Sequence, residues 1–421
     1  MDFTGKRLLI LGGAAQSTKI VTAAKEMGIH TIVMDINENA PAKREADESV
    51  SISLQDFDGM LQWVAAHPVD GIINICIDYA QKALQVLCDA TGLPSFGNEY
   101  QVRALTDKAL FKQLCKENGI DTIPEYAEED VRSGNAEFPL FVKPAECSGS
   151  RATTTCKTFE EFEVAVAEAK KESRNGKAII EKYLGDCPDF QPAYIFIDGE
   201  PYLQRTADRY HGFRSDGMEN VSALAVSPSK YTDLFIDSGI HDRIVAMLQK
   251  LKIKTAAVFF QGFVEGDKIR FYDPGIRLPG ANFENILKPA TGIDVVKMFI
   301  EYALTGHITS FDPEKLKQSY LLDGQYAAIS FPMVGPGVIA SIEGDAAIKA
   351  NKNVISGSFR RFVGERIERT GDVKQRLGEY NILAKTKEEL RETIRFVEDT
   401  LVVRDTEGRD MFISKPDVSA I

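Results

Sequence analysis

The chain has 421 residues, 44% of them hydrophobic and 27% charged, with a net charge of −12. That length exceeds one ordinary core and predicts two or three domains, and the composition is that of a globular enzyme. The charge excludes general nucleic-acid binding, which runs on surplus Lys and Arg, and no stretch reaches the apolar length of a membrane span. The six cysteines (Cys76, Cys88, Cys115, Cys147, Cys156 and Cys187) show no CxxC pair, so they are expected to be reduced and mostly buried. The opening run RLLILGG is too short for the apolar core of a signal peptide, which makes a cytoplasmic location the expectation.

The N-terminal part alternates strand and helix. Arg7 to Leu11 reads as a strand, Gly12-Gly13 as a turn, Thr18 to Met27 as a helix ended by Gly28, Thr31 to Asp35 as a second strand and Gly71 to Ile77 as a later one. Such alternation implies βαβ units and a parallel sheet. An acid, Asp35, follows the glycines at about the 20-residue spacing of dinucleotide-binding folds, but GGAAQS lacks G-x-G-x-x-G. A tight strand-to-helix turn is the favoured reading, and a dehydrogenase is disfavoured.

From about residue 98 the pattern changes. Thr106-Asp107-Lys108 opens a helix that runs to Asn118 and stops at Gly119. Residues 124–183 read as a small α+β unit: a strand from Phe138 ending at Lys143, a second from Arg151 to Cys156, a helix entered through the capping box Thr158-Phe-Glu-Glu161, and a closing strand Lys177 to Glu181. A β-rich section follows. A new alternation begins near Tyr326, with a last helix entered through Thr386-x-x-Glu389.

The stretch FPLFVKPAECSGSR places an ammonium, Lys143, at a strand end beside Ser148-Gly149-Ser150. Small residues let backbone N–H groups approach phosphate oxygens, and a lysine supplies the point charge. A P-loop is excluded, because the lysine precedes the loop. The alternative is a strand-end lysine snorkelling to solvent beside an ordinary hairpin turn; if Lys143 instead holds phosphate, its removal is expected to weaken ATP binding and leave stability nearly unchanged.

Order along the chain adds to this. Thr106-Asp107-Lys108, then Phe138 to Pro144 with Ser148 to Ser150, then Ile179-Ile-Glu181-Lys-Tyr-Leu-Gly185, then Asp273-Pro-Gly-Ile-Arg277 resembles the ATP-grasp superfamily. The likeness is greatest to the branch of the carbamoyl-phosphate synthase large subunit, biotin carboxylase and the L-amino-acid ligases. The implied fold class is α/β and α+β: a Rossmann-like pre-ATP-grasp domain over 1–97, an ATP-grasp domain over 98–310 with a small lid subdomain near 124–183, and a C-terminal α+β domain over 311–421. The resemblance implies that Lys108 and Lys143 hold the α- and β-phosphates of ATP, with Ser148, Gly149 and Ser150 as a lid. Glu181, Lys182, Tyr183 and Leu184 would form the hinge against adenine, and Asp189 would bind the ribose hydroxyls.

At the metal site the pattern departs from the family. The usual Glu-x-Asn-Pro-Arg is Asp273-Pro-Gly275-Ile-Arg277 here, and the preceding strand places Gly262 where the family has Glu or Gln. Gln261, one residue away, serves only if a β-bulge intervenes, because a one-residue slip turns a side chain to the other face. Asp273 is expected as a ligand of Mg²⁺ (or Mn²⁺); pairing with Arg277 or Arg270 is the alternative.

The implied reaction is ATP-dependent carboxylate–amine ligation through an acyl phosphate, with Arg277 stabilising the transferring group and small-molecule acid and amine as partners. A homodimer is compatible with this. Arg205, Arg209, Tyr210 and Arg214 are candidate anchors for the acid; a solvated hairpin of alternating charge is the competing reading. The alternative function is a nucleotide-binding homologue with a degenerate metal site and a regulatory or scaffold role.

Overall fold

The computed structural model of the protein describes residues 2–145, 153–173, 175–213, 216–218, 221–280 and 282–421. The lid residues Ser148 to Ser150 and the anchor candidate Arg214 lie outside this set. Strand β1 (Arg7–Leu11) pairs in parallel with β2 (His30–Met34), which pairs in parallel with β3 (Glu48–Val50); β4 (Gly71–Ile73) flanks β1 on its other side. The helix Thr18–Glu26 forms because Ile20, Val21, Ala23 and Ala24 share a face that buries against the sheet, and Gly28 ends it at φ +75°. The expected strand 71–77 is shorter than its apolar run, because Asn74 leaves the ladder: its side chain caps the loop, accepting from Ile77 N (3.0 Å) and donating to Ile77 O (2.7 Å).

The glycine turn is a structural device. Gly12 has φ +88°, and a Cβ on Gly13 would stand 2.5 Å from the Ala40 side chain. Gly13 N–H donates to Asp35 Oδ2 at 2.7 Å and Asn37 N–H to Oδ1 at 2.8 Å. The acid that resembled a ribose ligand thus holds the turn itself, as the tight-turn reading requires.

The helix Lys108–Glu117 starts at Asp107, whose carboxylate accepts from Ala109 N and Leu110 N, and it leads to the small unit. There β5 (Leu140–Pro144) is flanked by β6 (Thr154–Cys156) and β7 (Ala178–Lys182), all antiparallel. The helix Phe159–Glu172, capped by Thr158, buries Phe162, Ala165, Val166 and Ala169 against Leu140, Val142, Cys156 and Ile180. Each large side chain in this core contributes on the order of 1.5–3 kcal/mol of transfer free energy.

The centre of the molecule is an eight-stranded antiparallel sheet. It contains β8 (Asp189–Ile197), β9 (Glu200–His211), β10 (Ser222–Ser227), β11 (Ala256–Glu265), β12 (Lys268–Gly275) and β13 (Tyr326–Ser330) in the order β12-β11-β8-β9-β10-β13, continued by Gly378–Ala384 and Val354–Phe359. The sheet therefore runs without a break from β12 and β11 into the C-terminal region. The last helix, Lys387–Thr400, buries Leu390, Ile394 and Val397 in a second core with Tyr380 and Ile382. No helix among the described residues is long and apolar enough to cross a membrane.

Candidate active site

A cavity of about 310 Å³ lies between the small three-stranded unit and the large sheet. The three-stranded sheet presents Lys143, Glu181 and the hinge Lys182 to Gly185; the large sheet presents Gln261, Phe263, Tyr272 and Asp273 from β11 and β12, and Arg209, His211 and Ser222 from β9 and β10. Lys108 comes from the start of its helix and Arg376 from the C-terminal region. Five Lys or Arg side chains and two carboxylates line the wall, so the cavity carries a local surplus of positive charge in an acidic protein. Ile123, Phe141, Leu184 and Phe263 add an apolar portion fit for a flat ring.

Lys143 is not an exposed strand-end residue; it is 8% exposed. Its Nζ lies 2.6 Å from Glu181 Oε2, while Glu181 Oε1 accepts from Lys112. Burial pushes the Glu181 carboxyl up, but Lys143 and Lys112 outweigh it and hold the group below its ordinary range. Burial likewise pushes the Lys143 ammonium down; Glu181 opposes this, and Lys108 and Lys112 add to it. Glu181 is consequently neither a surface carboxylate nor a free hinge group: it is the counterion that positions Lys143. Lys112, four residues after Lys108 on the same helix face, was missed in the sequence, where only i,i+4 spacing marked it.

The hinge residues line the cavity, but the amide of Lys182 donates to Pro124 O (3.0 Å) and that of Tyr183 to Pro139 O (3.2 Å). The Lys182 N–H is thus engaged within the protein. Lys182 Nζ lies 2.6 Å from Glu265.

Between β11 and β12 the expected bulge is present. Gln261 stands opposite Asp273, and the register shifts between Gln261 and Gly262, so that Gln261, Tyr272 and Asp273 all reach the cavity. Asp273 pairs with neither Arg277 nor Arg270; its Oδ1 lies 3.2 Å from Lys108 Nζ, and Arg270 pairs with Glu265. Gly275, where the family has Asn, packs on Phe259: a Cβ there would stand 2.2 Å from the ring. A carboxylate and an amide oxygen are hard donors fit for Mg²⁺, with phosphate oxygens or waters to complete its sphere. No group of three or more His, Cys, Asp or Glu that could hold a metal occurs among the described residues.

Other expected residues fall elsewhere. Arg277 makes two contacts with Asp78, at 2.5 and 2.7 Å, donates to Leu278 O at 2.8 Å and stacks on Phe259; it is not on the cavity wall. Asp189 is 3% exposed and lies behind the wall, where its Oδ2 accepts from Tyr272 (3.2 Å) and lies 2.8 Å from His211 Nε2 and 3.3 Å from Arg209. It aligns three groups that do line the cavity. Arg205 is buried against Phe283, with Ser227 at 3.1 Å, and Tyr210 sits beside Lys230. Of the described anchor candidates, only Arg209 faces the cavity. Strand β9 lies inside the sheet, so the solvated-hairpin reading fails.

No protein-family model matches the chain. Curated relatives include formate-dependent phosphoribosylglycinamide formyltransferases from Prochlorococcus marinus (26% identical over 193 residues, 43% of this chain and 48% of that protein) and Methanocaldococcus jannaschii (24% over 188 residues, 42% and 48%). The match thus spans about half the length of these relatives. Among solved structures, an L-amino acid ligase from Bacillus licheniformis superposes with TM-score 0.78 at 18% identity, covering 96% of this chain and 99% of that one. A phosphoribosylglycinamide synthetase from Anaerococcus prevotii gives 0.74 at 18% (96% and 100%). The biotin carboxylase domain of a Hydrogenobacter thermophilus 2-oxoglutarate carboxylase, solved with MgADP, gives 0.74 at 16% (97% and 91%). The described chain has the ATP-grasp fold, as its motif order implied.

Proposed function

We propose that the protein is an ATP-dependent carboxylate–amine ligase. The observation that carries this reading is the single cavity wall that joins Lys108, Lys143 and the hinge to Gln261 and Asp273 across a β-bulge. Lys108 and Lys143 bind the phosphates, and the apolar lining residues Ile123, Phe141, Leu184 and Phe263 take the adenine. A carboxylate oxygen of the acid attacks the γ-phosphorus; the bond to the β-phosphate oxygen breaks, giving ADP and an acyl phosphate. The amine nitrogen then attacks the acyl carbon, phosphate leaves, and the amine gives up a proton to form the amide. Asp273 and Gln261 would hold Mg²⁺, which when bound neutralises phosphate charge. The protein's own part is positioning and charge, which needs no nucleophilic side chain.

The domain limits 1–97, 98–310 and 311–421, a cytoplasmic location and small-molecule partners belong to the same reading. The test is a phosphate-release screen with MgATP over pairs of small acids and amines, beginning with formate and phosphoribosylglycinamide because the curated relatives are named for them. Phosphate release above the ATP-only rate for any pair supports the reading. A second reading, nucleotide binding without turnover, is favoured by Gly275 packing on Phe259 and by the Lys108–Asp273 pair. Nucleotide binding with no release across the screen selects it.

A further inference from the structure

The arginine expected to hold the transferring group is engaged elsewhere. Arg277 places Nε and one Nη on Asp78, its other Nη on a carbonyl and its face on Phe259, and it lies off the cavity wall. A different arginine has the opposite properties. Arg376 follows the short turn Val373–Gln375 in the C-terminal region and lines the cavity. Its guanidinium lies 4.1 Å from the Phe331 ring centroid, and one Nη donates to Ser222 O at 2.7 Å. Its Nε is shut off from water and has no hydrogen-bond partner among the described residues.

The charges nearest Arg376 are Arg360, Arg209 and Glu379. Glu379 is taken by Arg360 at 2.9 Å, and Arg209 is balanced by Asp189. Burial and those two arginines push the Arg376 guanidinium down from its ordinary value, yet a guanidinium stays protonated at neutral pH. A largely enclosed cation whose nearby carboxylate is taken by another arginine is costly unless an anion balances it.

We infer that Arg376 holds the carboxylate of the acid substrate, in place of Arg277. The inference rests on the ligase reading. Arg376 lines the cavity, and its two Nη groups, one of them also on Ser222 O, form a planar fork whose spacing a carboxylate's two oxygens match. Phe331 backs one face of the guanidinium, so the group cannot turn away without losing that stacking. The nucleotide phosphates have Lys143, from the small three-stranded sheet, whereas Arg376 stands on the wall made by the large sheet and the C-terminal region. The acid would thus be recognised by a residue distant in sequence from every motif of the nucleotide site.

Calorimetry on the whole protein saturated with MgADP tests this, with formate, acetate, glycine and inorganic phosphate as probes. At least one carboxylate is expected to bind the wild type, to lose tenfold or more in affinity in Arg376→Met, and to stay within about twofold in Arg277→Met. ADP affinity should stay within about twofold in both. Loss in Arg277→Met with retention in Arg376→Met overturns the inference, as does binding of phosphate but of no carboxylate. Failure of the wild type to bind ADP sinks the ligase reading instead. Should Arg376→Met unfold, phenylglyoxal labelling of the wild type read by mass spectrometry decides: protection of Arg376 by a carboxylate probe supports the assignment, and equal labelling with and without it refutes it.

Discussion

Glu181 holds Lys143 at 2.6 Å inside the protein, and the same carboxylate accepts from Lys112 through its other oxygen. One buried acid therefore places two ammonium groups, and one of them forms the cavity wall. The charge that would meet phosphate is set by an acid that need not touch the nucleotide.

Lys143→Ala is accordingly expected to lower stability as well as nucleotide affinity. Breaking a buried pair leaves a carboxylate short of a partner, which costs about 2–4 kcal/mol here because Lys112 remains. ADP affinity should fall at least tenfold by calorimetry. Adding Glu181→Gln to this variant should recover part of the urea midpoint without recovering ADP affinity. An unchanged midpoint in the single variant would restore the exposed-lysine view.

Asp273→Asn keeps shape and removes the charge suited to a hard cation. It should retain ADP binding within a few-fold, because Lys108, Lys143 and the hinge are intact. Phosphate release, with whichever acid–amine pair is active, should fall by about a thousandfold or more. Undiminished release would remove Asp273 from the site.

Asp189→Ala distinguishes a scaffold from a ribose ligand. Burial alone pushes the Arg209 guanidinium down, and Asp189 holds it above its ordinary value. Deleting the acid leaves that cation buried and Tyr272 without an acceptor, at about 3–5 kcal/mol in chemical denaturation. A ribose ligand facing an open site would cost far less, so a loss under about 1 kcal/mol would contradict the scaffold role.

Glu398 gives a pH signature. It lies buried on the helix Lys387–Thr400, its Oε1 has no partner among the described residues, and burial pushes its pKa from 4.5 up to about 7 against the opposing pull of Lys415 and Arg395. The folded state therefore binds the proton more tightly than the unfolded chain. Stability contributed by the protonated form is present below about pH 4.5 and is lost as pH rises to about 7. Glu398→Gln should remove that slope, making the variant more stable than wild type at pH 8 by about 1–3 kcal/mol. Parallel stability curves for the two proteins between pH 5 and 8 would refute this.

Much of the fold is legible in local pattern. The βαβ opening, the capped helices after Asp107, Thr158 and Thr386, and the three-stranded unit follow from apolar period and cap chemistry that act within a few residues. Lys108, Lys143, Glu181, Gln261 and Asp273 were marked by motif order, and all five line one cavity. Gln261 depended on a bulge, and the bulge is there.

The tertiary structure alone decided which partner each charge takes. Arg277 could have faced the cavity or Asp78, 199 residues away in sequence; sequence spacing carries no information on that choice, because it is set by which domain surface closes over it. Asp189 is engaged inside the protein because β9 and β12 bring Arg209, His211 and Tyr272 to it from distant segments. Gly275 leaves no room for a side chain, because Phe259 on the neighbouring strand fills that space. Arg376 reached the cavity because the large sheet continues into the C-terminal region. By itself the sequence determined the elements, their order and a set of residues that line one cavity; long-range packing and desolvation, which depend on what lies across a cleft, decided how each of them is engaged.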